Sequence, residues 1–444
     1  MARAPTLARV GSRRPNKPGA WLLAALALAS AGGCGRSEPL PRGAPAAASG
    51  SAPLSTGPAL GLTEDNAELL WSPDQEPRRG GARFASARRE LTALHPTYVR
   101  LLVDWAALQP DPGLPPRLEA RVSGCARAVG PCAAYAGIRD ELAAIASPQR
   151  ESTAGSGSAA RTDFQVVIDI MGTPAWAARR LSGCQHAGAK PASQAPAQSA
   201  LAEYRVLIRS LLALAAREGV ALEWWSPWNE PNDPVFLSPQ RGSCSKDAPP
   251  LAPALYSELA RAMAGELRAH GGQHHLLLGE LNAYSSGSHD RLSASEFVAA
   301  LPADVICLGD AWSIHAYASP AAATVDPVAA LEAALDARAG CARGARVWIT
   351  ETGAGAPHPG SPRRAFAADD QAGCRALGSQ LLRWSRDPRV RAILQYTFRE
   401  DPAYPVGLIG AELSHLYPTY RLWLEWSRRK AAGEAPPTPA AACA

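Results

Sequence analysis

The sequence predicts an α/β fold, a (β/α)8 TIM barrel, on three observations. Short apolar runs and amphipathic stretches alternate along most of the chain, the pattern of parallel strands joined by crossover helices. Two of the apolar runs end in a Glu followed at once by loop residues: Trp225-Ser226-Pro227-Trp228-Asn229-Glu230-Pro231 and Val347-Trp348-Ile349-Thr350-Glu351-Thr352-Gly353. A barrel strand delivers side chains to the mouth in this way, at its C-terminal end. Finally, 444 residues with 47% apolar content can bury the core of one barrel, a unit of about 250 residues or more.

Taken in order, residues 1–33 read as a signal peptide. Arg3, Arg9, Arg13, Arg14 and Lys17 precede an apolar run from Ala20 to Ala31, and Gly32-Gly33 precede Cys34. The run is about twelve residues, short for a membrane span. Small residues before a Cys resemble a bacterial lipoprotein cleavage site, which implies lipidation at Cys34. Ala31 departs from that pattern, which usually has Leu there, and ordinary secretion is the alternative. The leader holds five of the 45 basic residues and none of the 40 acidic ones, so the remainder is formally neutral. That excludes an electrostatic case for nucleic acid. Residues 34–58 are rich in Ala, Gly, Pro and Ser and read as a flexible linker.

The barrel domain is expected over residues 59–432, with strands at Leu60–Thr63, Tyr98–Val103, Phe164–Ile170, Leu222–Trp228 and His275–Gly279. A sixth lies within Val305–His315, followed by Val347–Thr350 and Ala392–Phe398. Helical periodicity is clearest in Ala200–Glu218, Pro253–His270 and Asp370–Trp384. Long connections follow strands three and four, near Gly183–Gln198 and Ser238–Leu251, where a barrel places specificity. The Ser/Gly-rich stretch Arg150–Arg161 precedes strand three and reads as a surface insertion on the opposite side. Residues 433–444 form a Pro/Ala-rich tail, loose unless Cys443 pins it.

Setting Cys34 aside, eight cysteines remain, an even number that in an exported protein suggests disulfides. Cys125 with Cys132 is the easiest local pair, Cys184 with Cys244 would tie two loops, and Cys341 with Cys374 would clasp the Glu351 strand. Cys307 and Cys443 then pair by elimination. No Cys/His spacing resembles a zinc site, and neither a metal nor an organic cofactor is called for.

The candidate site is built on Glu230 and Glu351. A Glu at a strand end can simply cap the next helix. Here Pro231 fixes the backbone after Glu230, Asn229 offers a donor beside it, and Trp224, Trp225 and Trp228 are expected to enclose it. Apolar surroundings disfavour a charged carboxylate, as an acid catalyst requires. Glu351 can equally be a barrel residue paired with an Arg, but the small residues after it leave room for a sugar ring. Glu280, after strand five, reads as a decoy in a polar loop. His315 and Tyr317 alternate at the end of strand six and face one side, as donors able to hold a carboxylate ionised; a core His and a packing Tyr are the alternative. Arg100 within strand two needs a carboxylate partner, and Glu351 is the one expected. Trp105, Trp176, Trp228, Tyr396 and Phe398 offer flat faces for sugar rings, although any one of them can be core. Arg399-Glu400-Asp401 has two readings, substrate contacts or a polar loop.

These frames resemble clan A of the glycoside hydrolases, (β/α)8 retaining enzymes, with families 39 and 5 the most similar in flavour. The matching pieces run from Tyr98 to about Trp423: Val-Arg at strand two, Thr-Pro-Ala-Trp after three, Trp-Asn-Glu-Pro at four, His-Ala-Tyr at six and Thr-Glu-Thr-Gly at seven. The resemblance implies Glu230 as acid/base and Glu351 as nucleophile. It implies that Asn229 contacts the sugar 2-hydroxyl, that His315 and Tyr317 orient the nucleophile, and that Arg100 supports it. Strand eight departs from the clan, with Gln395-Tyr396-Thr397-Phe398 where many members place a Trp at the subsite floor. The expected function is a retaining glycoside hydrolase acting on a carbohydrate, exported and lipid-anchored at the cell envelope or else secreted. It calls for no obligate protein partner. A silent carbohydrate-binding barrel and a transglycosidase with the same residues are the alternatives.

Overall fold

The computed structural model describes residues 57–64, 81–118, 138, 139, 141–143, 145, 146, 164–179, 182–186, 189–318, 325–338, 340–355, 363, 366–401 and 404–444. The leader, Cys34, the Cys125–Cys132 pair and Arg150–Arg161 lie outside these residues.

Eight parallel strands close into a barrel in sequence order. They are β1 (Ala59–Glu64), β2 (Tyr98–Asp104), β3 (Gln165–Met171), β4 (Leu222–Ser226), β5 (His275–Asn282), β6 (Ala311–His315), β7 (Val347–Thr352) and β8 (Val390–Tyr396). Closure is made by β1 against β8, with Ala59 opposite Ala392 and Thr63 opposite Tyr396. All eight expected strands exist, and the differences lie at their ends. β4 stops at Ser226, three residues short of Asn229, because Pro227 has no N–H to continue the ladder. β5 runs beyond Gly279 to Asn282 through an irregularity between Leu278 and Leu281. There Gly279 (φ 110°) and Glu280 (φ 51°) both take left-handed backbone. A side chain on Gly279 would run into the Ser313 carbonyl of β6, so only glycine fits.

Period-2 alternation sorts the strand residues into two cores. The foot of the barrel is filled from inside by Val167, Leu277, Trp348, Leu394 and small Ala311 and Ala392, with Tyr98 and Trp224 packed against them. The Tyr98 and Trp348 rings lie 4.5 Å apart and those of Trp224 and Trp348 4.4 Å apart, an aromatic plug. Outward residues such as Val99, Ile168, Trp225 and Ile349 meet the helices. The helix Leu201–Glu218 shows how: Tyr204, Leu207, Ile208, Leu211 and Ala215 form one buried stripe, and Gly219 in left-handed backbone (φ 75°) ends it.

The described disulfides are Cys184–Cys244, Cys307–Cys341 and Cys374–Cys443. The first is as expected; the other two replace the Cys341–Cys374 and Cys307–Cys443 pairing. Cys307 follows a short helix at the barrel foot and meets Cys341 just before β7. Cys374 lies buried on the helix Ala367–Trp384, which turns it away from Cys341 and toward Cys443. The tail is therefore pinned: Pro439–Ala442 is helical and packs on Ala367–Trp384.

Candidate active site

A charged layer lies inside the barrel, directly above the apolar foot. Arg100 on β2 is fully buried, and a cation there needs compensating charge and hydrogen bonds. Its Nη1 donates to Glu351 Oε1 at 2.8 Å. Its Nη2 donates to Asp169 Oδ2 and to Asn229 Oδ1, each at 2.8 Å, and lies 2.9 Å from Glu280 Oε2. Asp169 comes inward from β3 by alternation with Val167, and Glu280 from β5 by the left-handed turn at Gly279-Glu280. Burial pushes the Asp169 carboxyl well above its ordinary value, against the pull of Arg100. Burial acts in the same direction on Glu280, but Arg100, His315 and the Thr350 hydroxyl outweigh it and hold Glu280 down at about 2.

Above this layer stand the two carboxylates expected to act. Glu230 follows β4 with left-handed backbone (φ 39°), unusual for a residue with a side chain and a mark of a functional constraint. Its Oε1 takes a hydrogen bond from His315 Nδ1 at 2.7 Å, and its Oε2 one from the Asn282 amide at 3.2 Å. Glu351, near the end of β7, accepts from Arg100 on one oxygen and from the Tyr317 hydroxyl, at 2.6 Å, on the other. His315 Nδ1 is also 3.4 Å from Glu351 Oε2. One oxygen of each Glu and a ring nitrogen of His315 lie within 4.8 Å of one another. A cation could span such a spacing, but the donor set does not suit one. Both His315 nitrogens already face carboxylate oxygens, Glu230 at 2.7 Å and Glu280 at 2.8 Å, so neither is turned free toward a cation.

The carboxylates open into a cavity of about 330 Å³. Asn229, Glu230, Asn282, His315 and Glu351 line its polar side; Leu102, Met171 and Phe236 give it an apolar side. Tyr317, Tyr396 and Tyr404 stand edge to face around the mouth, with ring centroids 4.9 to 6.3 Å apart. Among the described residues no Lys or Arg lines it.

No protein-family model matches the chain, and no curated protein matches it. Solved structures do. A GH39 beta-xylosidase from Caulobacter crescentus is 16% identical, covering 85% of this chain and 72% of its own, with a TM-score of 0.48. A GH5_18 enzyme from Streptomyces cattleya in complex with GlcNAc is 16% identical over 86% of this chain and 82% of its own, TM-score 0.48. A GH30 endoxylanase from Clostridium papyrosolvens C71 is 11% identical over 84% and 72%, TM-score 0.44. Likeness of this degree leaves function to be argued from the site itself.

The structure brings together Arg100, Asn229, Glu230, His315, Tyr317, Glu351 and Tyr396. It does not bring the tryptophans. Trp228 is fully buried in the outer core and donates to the Phe236 carbonyl at 2.9 Å. Trp225 faces the helices and Trp224 the barrel foot, so none of the three encloses Glu230. Trp176 is half-buried, donates to the Gln109 carbonyl and packs edge-on against Trp105, away from the cavity lining. Phe398 is core. Arg399 and Glu400 are buried too, Glu400 pairing with Arg363 at 2.9 Å and Arg399 donating to the Ala411 carbonyl. Sequence reasoning missed Asp169, Asn282 and Tyr404 and undervalued Glu280. A charged residue inside an apolar strand was a usable signal for Asp169, as it was for Arg100. The inward turn of Glu280 leaves only the Gly before it as a trace.

Proposed function

We propose that the chain is a retaining glycoside hydrolase with Glu230 as acid/base and Glu351 as nucleophile. The observation that carries the reading is that one oxygen of Glu230 and one of Glu351 lie within 4.8 Å of each other at the mouth of a barrel, too close to leave the wide gap of an inverting pair between those atoms. Retaining enzymes hold their carboxyl groups about 5–5.5 Å apart and inverting ones about 6.5–9.5 Å, to admit a water. Glu351 attacks the anomeric carbon while Glu230 protonates the departing oxygen, which breaks the glycosidic bond and forms a glycosyl ester. Water, deprotonated by Glu230, then attacks the same carbon and frees Glu351. Arg100 and Tyr317 hold the Glu351 oxygens in line. Arg100 takes the Asn229 Oδ1, which leaves the amide NH2 to donate to the sugar 2-hydroxyl. Tyr396 and Tyr404 supply aromatic faces at the mouth, Tyr404 with 43% of its surface exposed. With carboxylates and no Lys or Arg in the described lining, the cavity suits a neutral sugar rather than a uronic acid.

Three disulfides fit an oxidising, extracytoplasmic compartment, and no described helix is long and apolar enough to cross a membrane. Lipid attachment through Cys34 completes the reading. The test is intact-protein mass spectrometry after exposure to 2-deoxy-2-fluoro glycosides with activated leaving groups, followed by peptide mapping. A stable adduct on Glu351 is the expected outcome. Folded protein that forms no adduct across neutral glycons of both anomeric configurations would overturn it.

A further inference from the structure

The buried carboxylate of Glu280 has no contact with the cavity, yet three donors converge on its Oε2: Arg100 Nη2 at 2.9 Å, His315 Nε2 at 2.8 Å and Thr350 Oγ1 at 2.7 Å. We propose that Glu280 is a positioning residue of the catalytic centre, its charge keeping His315 an imidazolium that ties Glu230 and Glu351 into one unit. The inference rests on the glycosidase reading for its catalytic meaning, and on hydrogen-bond geometry for the rest. A neutral imidazole has one N–H and one lone pair. A neutral His315 would either point a lone pair at a carboxylate less than 3 Å away or accept at Nδ1 from a protonated Glu230. Only the doubly protonated ring donates to both, with Glu230 and Glu280 each accepting.

The cost of this arrangement argues that it does more than hold the fold. A pair of buried ions is often no more stabilising than well-packed apolar residues of the same volume. Here β5 also leaves its regular register and places Glu280 in left-handed backbone to bring the carboxylate inward. A strand serving stability alone would keep its register and present an aliphatic residue. Charge points the same way. Arg100 and His315 are two cations whose Nη2 and Nε2 come within 3.4 Å. Glu280 meets both, at 2.9 and 2.8 Å, and burial pushes the Asp169 carboxyl up, away from its charged form. Without Glu280, His315 loses the acceptor that holds its Nε2 proton.

The groups facing His315 are Glu230 after β4, Glu280 on β5, Glu351 on β7 and Arg100 on β2, with Asp169 on β3 and Tyr317 acting at one remove. Burial by itself pushes the imidazole down. Glu351, Glu230 and Glu280 overcome this and hold it up at about 10.

The experiment follows the nine histidines by NMR of the 13C-labelled full chain across pH 5 to about 9. His315 is assigned by the resonance lost in His315→Gln. In the wild type that imidazole stays protonated throughout, and in Glu280→Gln it titrates below pH 8. Glu280→Asp, which keeps the charge, restores the imidazolium. In Glu280→Gln, kcat falls by about a hundredfold, the scale of a misplaced catalytic group, while KM moves little. A wild-type His315 that deprotonates below pH 8 overturns the proposal whatever the variants do. So does a folded Glu280→Gln whose His315 remains charged. If Glu280→Gln does not fold, the wild-type titration still decides. Failure of the glycosidase reading looks different: an intact imidazolium, with Glu351 never labelled.

Discussion

Glu230 and Glu351 share one barrel mouth but rest on unlike supports. Glu351 is gripped on both oxygens, by a guanidinium from β2 and a phenol from the end of β6, so its reactive atom has little freedom. Glu230 leans on His315 and Asn282 and faces the cavity from a left-handed turn. This asymmetry suits the roles proposed for them, a fixed nucleophile and a proton carrier that works twice. Glu230→Gln is then expected to spare substrates that need no acid. Against a dinitrophenyl glycoside its first step persists, while against an alkyl glycoside kcat/KM falls by about 10²–10⁴. Equal losses on both substrates would remove the acid role. At this scale the sequence was legible where chemistry and strand ends coincide: Asn229-Glu230-Pro231, Glu351, and His315 with Tyr317 two residues on. It was not legible for Glu280, because a Gly-Glu pair at a strand end reads as a loop. The aromatic enclosure failed because alternation sends Trp225 outward, while Trp228 turns to the Phe236 carbonyl.

At the scale of elements, the loops after β3, β4 and β5 form one clasp beside Glu230. Cys184 bonds Cys244, and Gln194 pairs with Ser238. Arg241 joins Glu296 at 2.7 Å and reaches the Ser288 carbonyl. Asn232 donates to the Asn282 and Leu292 carbonyls, which fixes the Asn282 amide against Glu230. The clasp brings the β4 loop, with Phe236, to one wall of the cavity. Replacing Cys184 and Cys244 by Ser is expected to cost about 2–4 kcal/mol, the effect of opening a loop closed over 60 residues. KM is expected to rise more than kcat falls, since the wall moves while the barrel layer stays. Thermal melts and steady-state kinetics check both, and an unchanged KM would show that the loops hold their wall without the bond. Strand and helix existence was legible from periodicity, whereas disulfide partners were not. Pairing depends on which way a helix such as Ala367–Trp384 turns its cysteine, which spacing in sequence does not encode.

For the whole molecule, the charged layer ties stability to pH. His315 is raised to about 10, so its contribution is full below the unfolded value near 6.5 and fades as pH climbs through 10. Glu280 is lowered to about 2, so its contribution is full above its ordinary 4.5 and is lost as pH falls through 2. Asp169, raised by burial, contributes fully below 3.8 and less as pH rises, tilting the optimum to the acid side. The melting temperature should peak between about pH 4.5 and 6.5 and decline on both sides; a maximum above pH 8 would contradict the charge states given to these groups. The barrel below that layer has a consequence of its own. Among the described residues Tyr98, Trp224 and Trp348 stopper the foot, so the chamber has no door on that side. On the proposed reading, substrate cannot thread through the foot, and a severed sugar has to back out by the route it came in. By that mechanism the leaving half would depart first and water enter behind it, and the released sugar would then stand in the doorway of the next substrate, competing with it for the same space.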